Sequence, residues 1–303
     1  MRWLREFSTS YISGVGFDNQ SVSFQYQDIS WEEEYFTIFP LSDGNLTITA
    51  YAKSSSGGGG AGIFWSPVDN IVVSWRLKGS VTWTDLNFVQ TGSGGSMTLE
   101  GYVSKTISLI AGFPIELKCL NGLTRSKSSA GSSQTFPGNI KTNCPAIIMG
   151  QLQSLIVGGV NIQGTPGDPT SSVTIPWQSY LDGLRELFKG WNTLLDATNL
   201  VMPKVYYSST TFPNYTELFS GCIGLISAPK IIAAGNYTRC FENCDSLRSI
   251  YANISPSSRN IYTLTDWLEG TNLGNRRLYI PDTLDPSYDL CLENNWTTET
   301  FEF

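Results

Sequence analysis

The sequence predicts a mainly β protein of the broader α+β class, in which an antiparallel β-sandwich precedes a short solenoid of stacked repeats. Short runs of alternating apolar residues, separated by Gly- and Ser-rich turns, fill the first half of the 303-residue chain. A motif with a period of 22 residues then occurs in the second half. Aromatic residues make up 13% of the chain and charged residues only 15%, which suits short strands better than long helices.

The repeat is carried by Tyr215–Pro229 and Tyr237–Ile250, in which Tyr, Phe, Cys and Leu recur 22 residues apart. A fixed period of this length is typical of a unit that buries its apolar edge against the next unit. Weaker copies lie at Leu187–Ala197 and at Trp267–Gly270. We therefore expect about three to four units, near the minimum for a stable stack.

Each unit is predicted to contain a helical turn followed by a short strand. The Tyr-x-x-x-Phe segment gives the turn, and the Leu-x-x-Ala or Leu-x-x-Ile segment gives the strand. Ahead of the array, Tyr180–Phe188 carries leucine and phenylalanine at three- and four-residue spacing, which predicts a short helix.

Residues 31–163 are predicted to form the sandwich, because apolar and polar residues alternate over several short segments. Tyr35–Phe39 and Leu46–Ala50 flank Ser42–Asn45, whose composition predicts a β-hairpin. The polar segment Leu123–Gln134 is predicted to be a loop. Further strands are expected around Val73, Val81, Ile107 and Ile115, with Ala146–Val160 as the closing strand or turn.

The remaining segments complete the domain organisation. An N-terminal arm occupies residues 1–30, and a Pro- and Gly-rich linker occupies 164–176. The repeat array spans 177–285, and residues 286–303 are expected to cap it, since a terminal repeat needs a polar outer face.

The arm combines an apolar stripe at helical spacing with a later segment in which apolar and polar residues alternate. This pattern predicts a docking segment that pairs with the chain's own sheet or with a neighbouring chain. The alternative is that the arm supplies the first strand of the next domain. The residues concerned are Trp3, Leu4, Phe7, Val22, Phe24 and Tyr26.

Composition excludes several functional classes. The chain contains no histidine, which removes Ser-His-Asp and Cys-His catalysis and the commonest metal ligand. Its net charge is −7, and it has no basic run, so nucleic acid is not an expected partner. No window reaches eighteen consecutive apolar residues, so no membrane insertion is expected. We expect no cofactor and no metal.

One enzymatic alternative is a glycosidase that uses two carboxylates. Glu32, Glu33, Glu34 and Asp43 lie near aromatic residues, but a run of glutamates is usually a solvated surface. We therefore expect a protein that is not an enzyme.

The cysteines favour packing over chemistry. Cys222 and Cys244 occupy the same position of the repeat, so we expect a ladder of small buried side chains. The alternatives are a disulfide or a metal site, although Cys240 and Cys244 alone do not complete a zinc set.

Aromatic residues in and around the repeats are candidates for stacking on sugar rings. Tyr215 and Tyr237 are more simply explained as core residues of the repeat, whereas Tyr206 and Tyr207 lie between repeats and are the better surface candidates. The full set is Tyr180, Trp191, Tyr206, Tyr207, Tyr215 and Tyr237.

The Phe-x-x-Cys-x-x-Leu-x-x-Ala-Pro motif at Phe219–Pro229 resembles the BspA-type leucine-rich repeats of gut Bacteroidales and their phages. Phe241–Ile250 matches as far as Leu247-x-x-Ile250 and lacks the Ala-Pro. The preceding region is similar to the β-domain that often accompanies these repeats. Its matching pieces lie within 35–48, 73–86, 111–121 and 150–156.

The resemblance implies a leucine-rich-repeat-like solenoid and a binding or structural role. The N-terminal residues lack the apolar segment of a secretory signal, which leads us to expect a phage virion protein assembled in the host cytoplasm. Among crAss-like phages the resemblance implies a trimeric, capsid-attached head fibre. Its arm would contact the capsid or other virion proteins, and its repeats would attach to a host-surface glycan or protein. The alternatives are a BspA-like bacterial surface adhesin and a phage tail component.

Overall fold

The structure is a computed structural model, and the described residues all belong to one compact unit, Glu33–Phe303. The predicted arm at 1–30 and the predicted linker at 164–176 lie outside the described residues. The structure describes residues 35–53, 64–65, 71–89, 100–119, 122–129, 132–157, 183–203, 213–231, 235–253, 262–271, 274, 276–280 and 296–301.

Strands dominate the regular structure, which confirms the prediction of a mainly β fold. Over the described ranges, the helical content is one four-residue helix, α1 (Ser154–Val157). The strands are β1 (Phe36–Pro40), β2 (Gly44–Lys53), β3 (Phe64–Trp65), β4 (Ile71–Leu77), β5 (Thr84–Phe88), β6 (Glu100–Leu109), β7 (Ile115–Cys119), β8 (Arg125–Ser129), β9 (Ser132–Phe136), β10 (Asn139–Thr142), β11 (Ala146–Gln151), β12 (Leu194–Val201), β13 (Gly235–Asn236), β14 (Ser249–Tyr251), β15 (Tyr262–Thr263), β16 (Arg276–Ile280) and β17 (Trp296–Thr300).

The largest sheet, which we call the main sheet, has six strands in the order β12, β11, β1, β7, β4, β5. Strand β1 lies between β11 and β7 and is antiparallel to both. Its successive residues Phe36, Thr37 and Ile38 are all fully buried, so both faces of β1 are covered there. Strands β11 and β12 are parallel, and the long connection that a parallel pair requires separates them in the sequence.

A second sheet has the order β10, β2, β6, and β2 pairs with β6 over all ten residues of each strand. The hairpin predicted between β1 and β2 is therefore wrong, because the two strands pair in different sheets. Leu46 and Ile48 of β2 belong to the same buried cluster as Phe36 and Ile38 of β1. The turn between β1 and β2 thus carries the chain from one sheet to another, and both sheets supply the core.

The segment predicted to be a polar loop forms a hairpin instead. Strands β8 and β9 pair antiparallel from Arg125↔Phe136 to Ser129↔Ser132, and β3 pairs with β8. These strands are rich in serine, so they lack the apolar alternation that identifies a strand in sequence.

The parallel pairing of β12 continues into the repeats. Isolated bridges join Asp196 of β12 to Ser227, and Ser227 to Ser249 of β14. Strands β14, β16 and β17 then pair in parallel, with Ile250 opposite Leu278. The strand predicted from Leu-x-x-Ile is confirmed as β14. A row of parallel strands therefore runs from the main sheet into the repeats.

Residues 183–190 form consecutive turns in place of the described part of the predicted helix Tyr180–Phe188, whose first three residues lie outside the described ranges. Leu187 and Lys189 donate their N–H groups to carbonyls three residues earlier, at 3.3 and 3.1 Å. Glu186 and Gly190 adopt φ of 58° and 69°, values that an α-helix does not contain. The leucine spacing still identifies buried residues, since Leu184 and Leu187 are both in the core.

Candidate binding surface on the repeat strands

Four segments share one backbone conformation, and we call each a coil: residues 183–191, 213–222, 235–244 and 262–271. Each coil contains two left-handed residues four positions apart. A left-handed φ is uncommon outside glycine, so its recurrence shows that the same turn is built four times. The pairs are Glu186 and Gly190, Glu217 and Gly221, Arg239 and Asn243, and Asp266 and Gly270, with φ from 51° to 75°.

Backbone hydrogen bonds tie each coil to the next. Alternate N–H groups of the second coil, from Tyr215 to Gly221, donate to carbonyls of the third coil at 2.7–3.0 Å. The intervening groups bond within the coil, as Leu218 N does to Tyr215 O at 3.0 Å. The second and third coils are thereby in register at the 22-residue spacing of the sequence motif, with Phe219 one coil before Phe241.

An aromatic row runs through the coils and into the main sheet. Ring centroids lie 5.3 Å apart for Phe188 and Phe219, and 5.4 Å apart for Phe219 and Phe241. Phe188 also stacks on Phe36 of β1 at 5.4 Å. Main sheet and coils therefore share one continuous core.

The repeat cysteines are packing residues. The thiol of Cys222 donates to the carbonyl of Phe188, and that of Cys244 donates to the carbonyl of Phe219, each at 3.1 Å. Burial raises the pKa of Cys222 to about 12 and raises the pKa values of Cys240 and Cys244 well above the ordinary thiol value. A thiol that stays protonated is a poor nucleophile and a poor metal ligand. The predicted packing ladder is confirmed.

Three of the candidate sugar-stacking aromatics are fully buried and are not available to a ligand. Trp191 donates Nε1 to Thr142 Oγ1 at 2.9 Å, so its prediction as a binding residue is wrong. Tyr215 and Tyr237 stack at 4.7 Å, which confirms that they are core residues. The predicted residues outside the described part of the chain are Tyr180, Tyr206, Tyr207 and the arm residues Trp3, Leu4, Phe7, Val22, Phe24 and Tyr26.

The parallel strands of the repeats turn one set of side chains inward and the other set outward, onto what we call the strand face. Ile250 and Leu278 are fully buried on the inner side. On the outer side, Tyr251 lies opposite Tyr279, and the exposed Arg277 lies opposite Ser249. A period of two along each strand produces this separation.

Three half-buried rings cluster on the strand face, and we call Tyr251, Tyr279 and Phe301 the aromatic patch. The rings of Tyr251 and Tyr279 stack with centroids 4.5 Å apart and planes 11° apart. Phe301 lies edge-on to both, at 4.9 Å from Tyr251 and 6.2 Å from Tyr279. The patch thus offers rings in two orientations within a few ångströms.

Charged groups border the aromatic patch. Arg277 forms an ion pair with Glu299 at 3.1 Å, with 58% and 41% of the two side chains exposed. The exposed Lys230 places Nζ 5.9 Å from the ring centroid of Phe301. Burial raises the pKa of Tyr251, and the neighbouring Tyr279 and Glu299 raise it further, so this phenol is neutral and can donate a hydrogen bond.

The aromatic patch was not predicted from the sequence. Tyr251 directly follows Ile250, the last residue of the repeat motif, and Tyr279 alternates with the buried Leu278 and Ile280. This alternation is a usable signal once the strands are known. The pairing of two strands so far apart is not visible in sequence.

Two other features are absent from the described part of the chain. Within the described ranges, no group of three or more His, Cys, Asp or Glu side chains is placed to hold a metal ion. None of the described helices has the length and apolar character needed to cross a bilayer.

Comparison with known proteins identifies no relative of this chain. No protein-family model, no curated protein and no solved structure matches the chain. The resemblance to BspA-type repeats therefore stays a prediction from the repeat motif.

Proposed function

We propose that this chain is a non-enzymatic structural protein of a phage virion, specifically a capsid-attached head fibre that projects its repeats towards the host surface. In this proposal the two sheets pack as a β-sandwich, and the coils form a leucine-rich-repeat-like solenoid. Three copies associate, and the arm at 1–30 contacts the capsid or other virion proteins.

The observation that carries the proposal is the stack of coils. Its rings, thiols and backbone groups are engaged in packing and hydrogen bonds between coils, as the Phe219–Phe241 stack and the Cys244 thiol illustrate. Such an array supplies a rigid extended surface and not a reaction centre. Together with the BspA-type motif, this supports a role in attachment.

A BspA-like surface adhesin is the second candidate, because the aromatic patch would serve attachment equally well from a bacterial surface or from a virion. The two candidates differ in what the chain joins: a head fibre joins a capsid, whereas an adhesin joins the envelope of the cell that makes it. A phage tail component would join a tail and not a capsid.

The test uses the full-length chain and capsids from the same genome. We expect a trimer by size-exclusion chromatography with light scattering, and co-sedimentation of that trimer with capsids. The double variant Trp3→Asp/Phe7→Asp should abolish co-sedimentation. Tyr102→Ala, at an exposed position of β6, should leave it unchanged. A monodisperse monomer that never sediments with capsids would refute the head-fibre assignment.

A further inference from the structure

We infer that the strand face is a carbohydrate-binding site, with the aromatic patch at its centre. The inference rests on the proposed attachment function and names the class of ligand. The relevant surface runs across strands β14, β16 and β17, where neighbouring strands place side chains of the same row side by side.

The outward positions of these strands carry hydroxyl groups, aromatic rings and charges, and no aliphatic side chain. Their inward neighbours, such as Ile250 and Leu278, are aliphatic and fully buried. The outward residues of the described strands are Ser249, Tyr251, Arg277, Tyr279, Thr297 and Glu299. Such a surface suits a ligand that is itself rich in hydroxyl groups yet has apolar C–H faces, and a sugar chain fits that description.

The geometry of the patch supplies both kinds of contact. Because Tyr251 and Tyr279 stack face to face, they present ring edges and phenolic hydroxyls, each of which can donate and accept a hydrogen bond. Phe301 stands at 71° to Tyr251 and adds apolar area in a different orientation. Rings held by their neighbours lose little conformational entropy on binding.

The ion pair beside the rings adds directed polar groups. Arg277 and Glu299 form an ion pair at 3.1 Å, and about half of each side chain is exposed to solvent. The guanidinium offers further donors, and the carboxylate offers acceptors to sugar hydroxyls. With Lys230 5.9 Å from the ring of Phe301, the surroundings of the patch favour a neutral or acidic ligand over a cationic one.

A folded protein partner fits this surface less well. A standard protein interface buries about 800 Å² on each partner around an apolar centre. Among the described residues, the large aliphatic side chains that are exposed lie elsewhere. Three lie near two turns beside the main sheet, and the fourth, Ile223, lies just beyond the second coil and is 44% exposed. Leu77 is 47% exposed, Val81 92% and Ile110 58%. The strand face lacks such an aliphatic centre.

The test is affinity electrophoresis of the full-length protein in native gels containing one soluble polysaccharide each. The panel holds neutral members (mannan, xylan and dextran) and acidic members (polygalacturonate and chondroitin sulfate). We expect at least one member to retard the protein. The double variant Tyr251→Ala/Tyr279→Ala should lower the affinity calculated from that retardation about tenfold or more. A tenfold loss corresponds to about 1.4 kcal/mol of binding free energy.

Two variants control for folding. Tyr102→Ala removes a tyrosine that is 54% exposed on β6, outside the strand face, and should bind like the unmodified protein. Tyr279→Phe retains the stacked ring and removes only the hydroxyl, so it should fold normally and bind with intermediate strength. Circular dichroism of each variant checks the fold.

The inference is overturned if no polysaccharide retards the protein, or if the double variant and Tyr102→Ala bind equally. It is also overturned if the protein binds bacterial cells through a component that protease destroys and periodate spares. Capsid co-sedimentation should be unaffected by the patch variants. Loss of capsid binding with intact polysaccharide binding would refute the fibre and leave this site standing.

Discussion

The main sheet and the coils bury side chains in one continuous core, but the contacts that build the two regions span different distances in the sequence. In the main sheet, contacts join residues far apart in sequence. The Phe36 N–H, for example, donates a hydrogen bond to Ser154 Oγ, 118 residues away, at 2.8 Å. In the coils, Ser220 Oγ donates a hydrogen bond to Glu242 Oε2 at 2.9 Å, and these two residues are only 22 apart in sequence. The sheet is therefore defined by long-range pairing, and the coils by a short repeated spacing.

This difference predicts different sensitivities. The second and third coils each lie between two other coils, so a change inside either one disturbs both of its interfaces. The turns beside the main sheet, such as the turn at Gly112, are instead exposed to solvent. We expect changes inside the coils to cost more than changes in the turns of the sheet.

The largest effect is expected for Phe219→Ala. Phe219 is fully buried and stacks between Phe188 and Phe241, so truncation removes two ring contacts and leaves a cavity. The free energy of unfolding should fall by about 3–5 kcal/mol, measured by urea denaturation.

The matched control for this variant is Ile223→Ala, just beyond the same coil, where 44% of the side chain is exposed. Its cost should stay below about 1 kcal/mol, because little buried surface is lost. Equal losses in the two variants would mean that the coils lack a packed core. Because Phe36 contacts Phe188, we also expect main sheet and coils to unfold in one transition.

A smaller effect is expected for Gly224→Ala, compared with Gly112→Ala in a turn beside the main sheet. Gly224 lies just beyond the second coil, and a Cβ there would lie 2.5 Å from the carbonyl oxygen of Asn192, just beyond the first coil. A backbone oxygen gives way less readily than the end of a flexible side chain. We expect a loss of about 3 kcal/mol. Gly112 has a φ of 75° but no atom within 4 Å of its Cβ position, so backbone strain alone should cost about 1 kcal/mol.

Thermal unfolding of the two alanine variants, followed by circular dichroism, measures this ranking. A Gly112 variant less stable than the Gly224 variant would show that the spacing between coils is not fixed by close backbone contact. The comparison between coils and sheet would then lose its structural basis.

The sequence predicted the coils better than the sheet, and the reason is physical. The 22-residue spacing that aligns Phe219 with Phe241 is visible because identical contacts need identical residues. The partners of β1 were not predictable, since alternation identifies a strand and not its neighbours. That is why a hairpin with β2 was expected where β1 in fact pairs with β7 and β11.

The candidate site shows the same limit. The repeat motif identified Tyr215 and Tyr237 as core residues, because they recur at one position. Tyr251 and Tyr279 come together only through the pairing of β14 with β16, which follows an irregular spacing of 28 residues. A ligand-binding surface built from residues outside the repeat motif therefore has no periodic signal in the sequence by which to predict it.

The smallest of these effects concerns pH. The pKa of Cys222 is raised to about 12 in the folded chain, whereas an exposed thiol in the unfolded chain has a pKa of about 8.5. Because the folded pKa is the higher one, the stability that this thiol contributes is complete below about pH 8.5 and is lost as pH rises towards 12. Raising the pH from 7.5 to 9.5 should cost about 1.4 kcal/mol through Cys222 alone.

Urea denaturation at the two pH values measures this loss, and Cys222→Ser should reduce it. Cys144→Ser, beside the main sheet, is the control. Burial also raises the pKa of Cys144, but its hydrogen bond with Thr142 works in the opposite direction. That variant should therefore retain most of the loss seen in the unmodified protein. If Cys222→Ser instead shows the same loss as the unmodified protein, the thiol is not as fully buried between coils as the structure places it.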